Sequence, residues 1–124
     1  MTTWTREELD KVGAAEELAL APLQRDGAQR KPVTIWVVRV REELCVRSVN
    51  GRSSCWFRGA QVRHAGRVSA GGVEKDVIFT DGDLRLNDAI DAAYRAKYRR
   101  YQARIVDSIV SPEARSATIR LLPR

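Results

Sequence analysis

The sequence predicts an α+β fold: a small, six-stranded, mainly antiparallel β-barrel, closed or half closed, with an N-terminal helix, a short helix after a central hairpin and a long C-terminal helix. Three observations carry that expectation. The run Val33 to Val40, Val-Thr-Ile-Trp-Val-Val-Arg-Val, is rich in β-branched and aromatic residues and apolar on both alternating faces, as a strand covered on both sides must be. Tight-turn signals separate successive short strands, which favours antiparallel pairing, and curling such strands into a barrel removes their exposed edges. Ile90, Tyr94, Tyr98, Tyr101 and Ile105 recur at helical spacing, giving one long amphipathic helix to dock on the sheet. At 124 residues the chain has the length of one ordinary domain, 1–124, with its own core.

Taken in order, Thr5 and Glu8 form a capping-box pattern that starts a helix running to about Val12, and Gly13 is placed to end it. Glu17 to Leu23 alternates large and small apolar residues and reads as the first strand; Arg25-Asp26-Gly27 is turn chemistry. After the Val33–Val40 strand, Arg41-Glu42-Glu43 reverses the chain into Leu44–Val49, which closes at Asn50-Gly51. Ser53 is placed to cap a short helix through Trp56 and Phe57 towards Val62. Gly66–Ala70 and Val73–Thr80 are two strands around Gly71-Gly72, and Asp81-Gly82-Asp83 is the next turn. Asn87 reads as the N-cap of the long helix, with Asp88 and Asp91 set against its positive dipole end. Ser111-Pro112-Glu113 opens a last helical turn before a final strand, Ala117–Leu122.

Composition narrows the chemistry. A hydrophobic fraction of 44% and a charged fraction of 31% belong to a folded chain. A polar start and the lack of any apolar run near the roughly 20 residues of a membrane helix point to a cytoplasmic protein. Cys45 and Cys55 form no CxxC pattern and read as reduced, packing residues. One histidine, His64, and no zinc-finger spacing argue against a metal site, and GxGxxG, Walker and HExxH motifs are absent. Cys55 and His64 as a nucleophile and base pair rest on nothing beyond their presence. The net charge of +6 favours an anionic partner. Nucleic acid is disfavoured among such partners, because the aromatic residues are not interleaved with the arginines as a single-strand platform requires.

The stretch Arg30-Lys31-Pro32-Val33-Thr34-Ile35-Trp36-Val37-Val38, then Val46-Arg47-Ser48-Val49-Asn50-Gly51, then Trp56-Phe57-Arg58, is similar to the deazaflavin-dependent nitroreductases, and nearly the whole chain resembles an uncharacterised bacterial family of the FMN-binding split-barrel group. The resemblance implies a split β-barrel with helices outside, and a cofactor phosphate near the basic lead-in and the turn. By residue, Arg30 and Lys31 match the lead-in, Arg47 and Ser48 the end of the hairpin, Asn50 and Gly51 the turn, and Trp56 the helix tryptophan. A guanidinium can meet two phosphate oxygens at once, a glycine keeps no side chain between the backbone and an anion, and an indole can wall an isoalloxazine ring. Gly51-Arg52 and Ser53-Ser54-Cys55 replace the glycine-glycine and the proline-containing approach of the nitroreductases, so the turn is shorter and more basic and the cofactor stays open among FMN, a deazaflavin, another anionic flavin or tetrapyrrole, and none.

Two functions follow as expectations. One is a flavin- or deazaflavin-dependent oxidoreductase acting on a small molecule, in which the cofactor carries the hydride chemistry and the protein anchors and shields it. The other is a non-catalytic barrel that holds a cofactor or another anionic ligand. No catalytic residue is assigned; Tyr94 or Tyr98 is the only general acid the sequence suggests. The resemblance also implies a homodimer.

Overall fold

The computed structural model describes residues 3–124. Helix α1 (Arg6–Ala14) begins at a complete capping box: the Thr5 hydroxyl accepts from the Glu8 amide at 3.1 Å and the Glu8 carboxylate accepts from the Thr5 amide at 2.9 Å. Gly13 does not end this helix but lies within it, where a Cβ would come 3.0 Å from Arg39 Cβ; it serves close approach rather than capping.

Seven strands follow: β1 (Leu18–Pro22), β2 (Val33–Ile35), β3 (Val37–Val40), β4 (Glu43–Arg47), β5 (Ala65–Ala70), β6 (Val73–Asp81) and β7 (Thr118–Pro123). They join in the order β2-β1-β5-β6-β7-β4-β3, and every pairing is antiparallel. β2 and β3 stand at opposite ends of that order, yet only Trp36 separates them in the chain. One stretch of backbone therefore forms both edges, and the sheet has to curl until they nearly meet. The expected single strand Val33–Val40 changes partner at Trp36, from β1 to β4, which turns six expected strands into seven. Gly71 and Gly72, with φ of +58° and +84°, make the two-residue turn between β5 and β6.

Side-chain alternation along the strands builds two cores. Inside the barrel, Leu18, Leu20, Val37, Leu44, Val46, Val77, Phe79, Ile119 and Leu121 pack with Leu9 and Val12 of α1 and with Phe57 and Ala60 of α2 (Cys55–Arg63). Outside, the opposite faces of β3 and β4 present Val38, Val40 and Cys45 to Ile90, Tyr94, Tyr98, Val106 and Ile109. These last come from two helices, α3 (Asn87–Lys97) and α4 (Ala103–Ile109), where the spacing predicts one. The break follows from packing: Tyr98 stacks on Trp36 with centroids 3.8 Å apart and planes 4° apart, and Arg100 and Tyr101 both bond the Glu16 carboxylate, which pulls the chain out of helical register. α5 (Pro112–Ser116) is capped by Ser111, as its Ser-Pro-Glu start predicts.

Two predicted caps are displaced. Ser54, not Ser53, caps α2, its hydroxyl accepting from the Phe57 amide at 3.4 Å, after a 3₁₀ turn over Gly51–Ser53. Asn87 is the first helical residue of α3, and its side-chain oxygen accepts from Arg47 instead of capping. No helix among the described residues is long and apolar enough to cross a membrane.

Candidate functional site

A cavity of about 390 Å³ opens where β2, the end of β4 and α4 meet the start of α2. Val33, Ile35, Val49, Ile105 and Ile109 give it apolar walls, and Trp36 and Trp56 stand on it, both half-buried. Thr34, Ser48, Asn50, Ser54 and Ser108 add short polar groups. An apolar hollow of this size with a few convergent polar groups is the usual form of a small-ligand site.

Ser48 is 1% exposed and its hydroxyl lies 2.7 Å from that of Ser54. Two hydroxyls share that single bond, so one hydrogen of the pair is left to donate to an acceptor in the cavity. Ser54 owes its place to the cap of α2, and Ser48 to the close of β4; the local folding of the Val46–Trp56 segment thus delivers both.

Arg47 reaches the same wall but has no donor to offer. Its side chain is fully buried, and all five of its N–H groups are engaged inside the protein. Nε donates to the Thr118 hydroxyl at 2.9 Å, Nη1 to the Asp91 carboxylate and to the Ile109 carbonyl at 3.2 Å, and Nη2 to the Asn87 carbonyl at 3.3 Å and side chain at 3.2 Å. The guanidinium also lies 5.7 Å from the centroid of the Tyr94 ring. Arg47 therefore joins β4, β7, α3 and α4, which sets the cavity wall from behind.

Arg30 and Lys31 lie outside the main cavity, on an adjoining hollow of about 280 Å³ that also takes in Pro22, Val33, Cys55 and Trp56. Val33 and Trp56 border both spaces, so the basic pair lies in the hollow next to the cavity that holds Ser48 and Asn50. Gly51 is buried beneath the turn, with φ of +77° and Glu113 against it, and does not line the cavity. Of the predicted binding residues, Ser48, Asn50 and Trp56 thus share one cavity, Arg30 and Lys31 share the next, and Arg47 and Gly51 shape the frame.

Tyr94 and Tyr98 stand apart from the cavity. The Tyr98 hydroxyl donates to the Glu16 carbonyl at 2.6 Å, and burial pushes its pKa up to about 12. Burial likewise drives Tyr94 far above the usual tyrosine range. Both stay protonated at neutral pH, and neither lines the cavity. Cys55 and His64 occupy opposite ends of α2, about 13 Å apart at the helical rise, which separates them as a nucleophile and base. The sequence pattern missed Ile105, Ser108 and Ile109, because they enter the cavity only through the break between α3 and α4.

Solved structures share the fold, three of them as follows. A conserved hypothetical protein from Mycobacterium tuberculosis aligns with a TM-score of 0.71 and 11% identity, covering 99% of this chain and 82% of that one. The heme storage protein HutZ from Vibrio cholerae aligns at 0.64 and 14%, covering 100% and 92%. An F420 reductase aligns at 0.58 and 13%, covering 93% and 90%. No curated protein matches the sequence. The model of the DUF2255 family, described as an uncharacterized protein conserved in bacteria, matches residues 8–121, and the chain belongs to that family.

Proposed function

We propose that this barrel binds a flavin or deazaflavin and serves as an oxidoreductase for a small molecule. The observation that carries the proposal is the position of Trp56, which lines both an apolar cavity of about 390 Å³ and the adjoining hollow that holds Arg30 and Lys31. A flat apolar ring with an anionic tail is the ligand shape that such a division suits. In support, a structure with the same fold is named as an F420 reductase.

The residues present fit that group. Trp56 and Trp36 would flank the ring, Val33, Ile35 and Ile109 would exclude water from it, and the spare hydroxyl hydrogen of the Ser48–Ser54 pair and the Asn50 amide would hold its polar edge. Arg30 and Lys31 would neutralise the phosphate; each charge-assisted bond of this kind contributes about 1.5–3 kcal/mol. The bound group would supply the hydride chemistry. The cavity lining contains no Asp, Glu, His, Lys, Cys or Tyr, and its one ionisable side chain, Arg47, is held by Asp91. The chain's contribution to a reaction would be binding, orientation and shielding, with any proton drawn from solvent or from a hydroxyl. That same lining favours the second reading, a non-catalytic binder, for which the heme storage protein of the same fold is the parallel. The mouth of the cavity carries Val49 and Ile105, 47% and 41% exposed, which suits closure by a second copy in a homodimer.

Absorbance and fluorescence titration with FMN and with a deazaflavin tests the proposal. Micromolar binding that weakens about tenfold in Trp56→Ala, a loss of about 1.4 kcal/mol, is expected. No binding of either compound would refute it. Turnover with a reductant and an electrophilic acceptor then separates the enzyme from the binder.

A further inference from the structure

Arg30 is an exposed cation held in place without an acceptor. Its amide donates to the Pro22 carbonyl at 2.8 Å, which ties it to the hairpin that the Leu23–Gln29 bridge closes. Its side chain lies across α2 at Gly59, where a Cβ would come 3.0 Å from Nη1, 3.3 Å from Cδ and 3.5 Å from Cζ. Among the described residues its guanidinium makes no hydrogen bond and no ion pair. Glycine in a helix interior costs about 1 kcal/mol relative to alanine, and Gly59 stands mid-helix in α2; the seat it provides for Arg30 gives that residue a use.

Arg30 borders two hollows. One is the Lys31–Trp56 hollow; the other, shallower and about 380 Å³, is lined by Leu23, Gln24, Arg25, Arg30, Gly59 and Val62. No carboxylate lines either. Asp26, the nearby acid of the hairpin, has its Oδ1 bonded by the Ala28 amide at 3.0 Å. Arg63 adds charge on the same side, its Nη1 donating to the Arg25 carbonyl at 3.4 Å.

We infer that the hollow between the hairpin and α2 is a second anion subsite, built by Arg25 and by Arg30 on its Gly59 seat, and that the ligand carries two linked phosphates rather than one. The inference rests on the proposed ring site at Trp56. An arginine that lines two adjoining basic hollows suits a pyrophosphate, whose two phosphates each offer oxygens to a guanidinium. Gly59 is thus a positioning residue: it sets the height at which Arg30 crosses the helix.

Riboflavin, FMN and FAD, which carry no phosphate, one and two, separate the ring site from the anion sites when titrated against wild type, Gly59→Ala and Arg25→Ala. Expected is FAD binding about tenfold tighter than FMN in wild type, with Arg25→Ala reducing that preference to near unity. Gly59→Ala is expected to weaken FAD about tenfold while its Tm stays equal or rises by a few degrees, since alanine favours the helix. A merely structural glycine would not lower affinity while preserving stability. Equal affinity for FMN and FAD in wild type, or a preference that survives Arg25→Ala, overturns the inference. If neither a flavin nor a deazaflavin binds, the ring site fails; inorganic pyrophosphate then reports on the subsite directly. Pyrophosphate binding weakened by Arg25→Ala sustains the subsite, and no pyrophosphate binding overturns it.

Discussion

Lys97 is half withdrawn from water, its ammonium donating to the Val37 carbonyl at 2.6 Å and lying 5.2 Å from the Tyr98 ring centroid. Burial disfavours the charged form and lowers its pKa from 10.5 to about 8. Between those two values the unfolded chain binds the proton and the folded chain does not, so this residue makes stability rise with pH there; below pH 8 the desolvation penalty is fully present. Cys45 acts in the opposite sense: burial raises its pKa from 9.0 to about 12, so its contribution is intact below pH 9 and declines above it. Comparing wild type with Lys97→Met removes the thiol's effect, which both proteins share. The Tm difference between them is expected to shift steadily in favour of wild type as pH rises from about 8 to 10.5, as read by thermal melts across that range. A difference that is flat with pH would place Lys97 in ordinary solvent. Nothing in Arg95-Ala96-Lys97 marks this lysine in the sequence, because the partial burial comes from β3, sixty residues away along the chain.

At the scale of the elements, Arg47 is the joint on which the outer core turns. Its partners belong to α3, to β7 and to the end of α4, so its removal would leave Asp91, Asn87 and Thr118 facing one another without the cation. Breaking one side of a buried ion pair costs about 3–5 kcal/mol, and Arg47→Ala is expected to lose that much in urea unfolding. Arg47→Lys should recover only part of it, since an ammonium has three donors and no planar fork to meet three elements at once. A loss under about 1 kcal/mol in Arg47→Ala would show that the pair is no stronger than a surface bridge. The resemblance put Arg47 beside a phosphate because it ends the strand before the turn; whether an arginine at that place faces ligand or interior depends on α3 and β7, which the local pattern does not contain. Helix boundaries divide in the same way. The capping box of α1 and the Ser-Pro start of α5 are local chemistry and were legible. The break at Tyr98–Gln102 has no glycine or proline to announce it, being imposed by the Trp36 stack and the Glu16 contacts, and with it Ile105, Ser108 and Ile109 escaped notice as cavity residues.

For the whole molecule, barrel closure was legible because the Val33–Val40 run is apolar on both faces: Val33, Ile35 and Val37 serve the interior, and Trp36, Val38 and Val40 the helical side. That one segment closes both edges was not, since a partner change leaves the period-two pattern intact. Closure also leaves the cavity with one unfinished side. Val49 and Ile105, on β4's exit and on α4, stand at its mouth with nearly half of each side chain in water. Apolar residues gathered at a cavity mouth suit an interface better than solvent, and a second copy covering them would shut water out of the cavity. Sedimentation of the wild-type chain is expected to show a dimer, and Val49→Asp with Ile105→Asp to show a monomer of unchanged circular dichroism, because a carboxylate at each exposed position disturbs no packed core. If the dimer forms around the site, the double variant should also bind FMN or a deazaflavin more weakly than wild type. A monomeric wild type would leave the mouth open and remove the second copy from the proposal, and a dimer that survives both aspartates would place the interface on another face of the barrel.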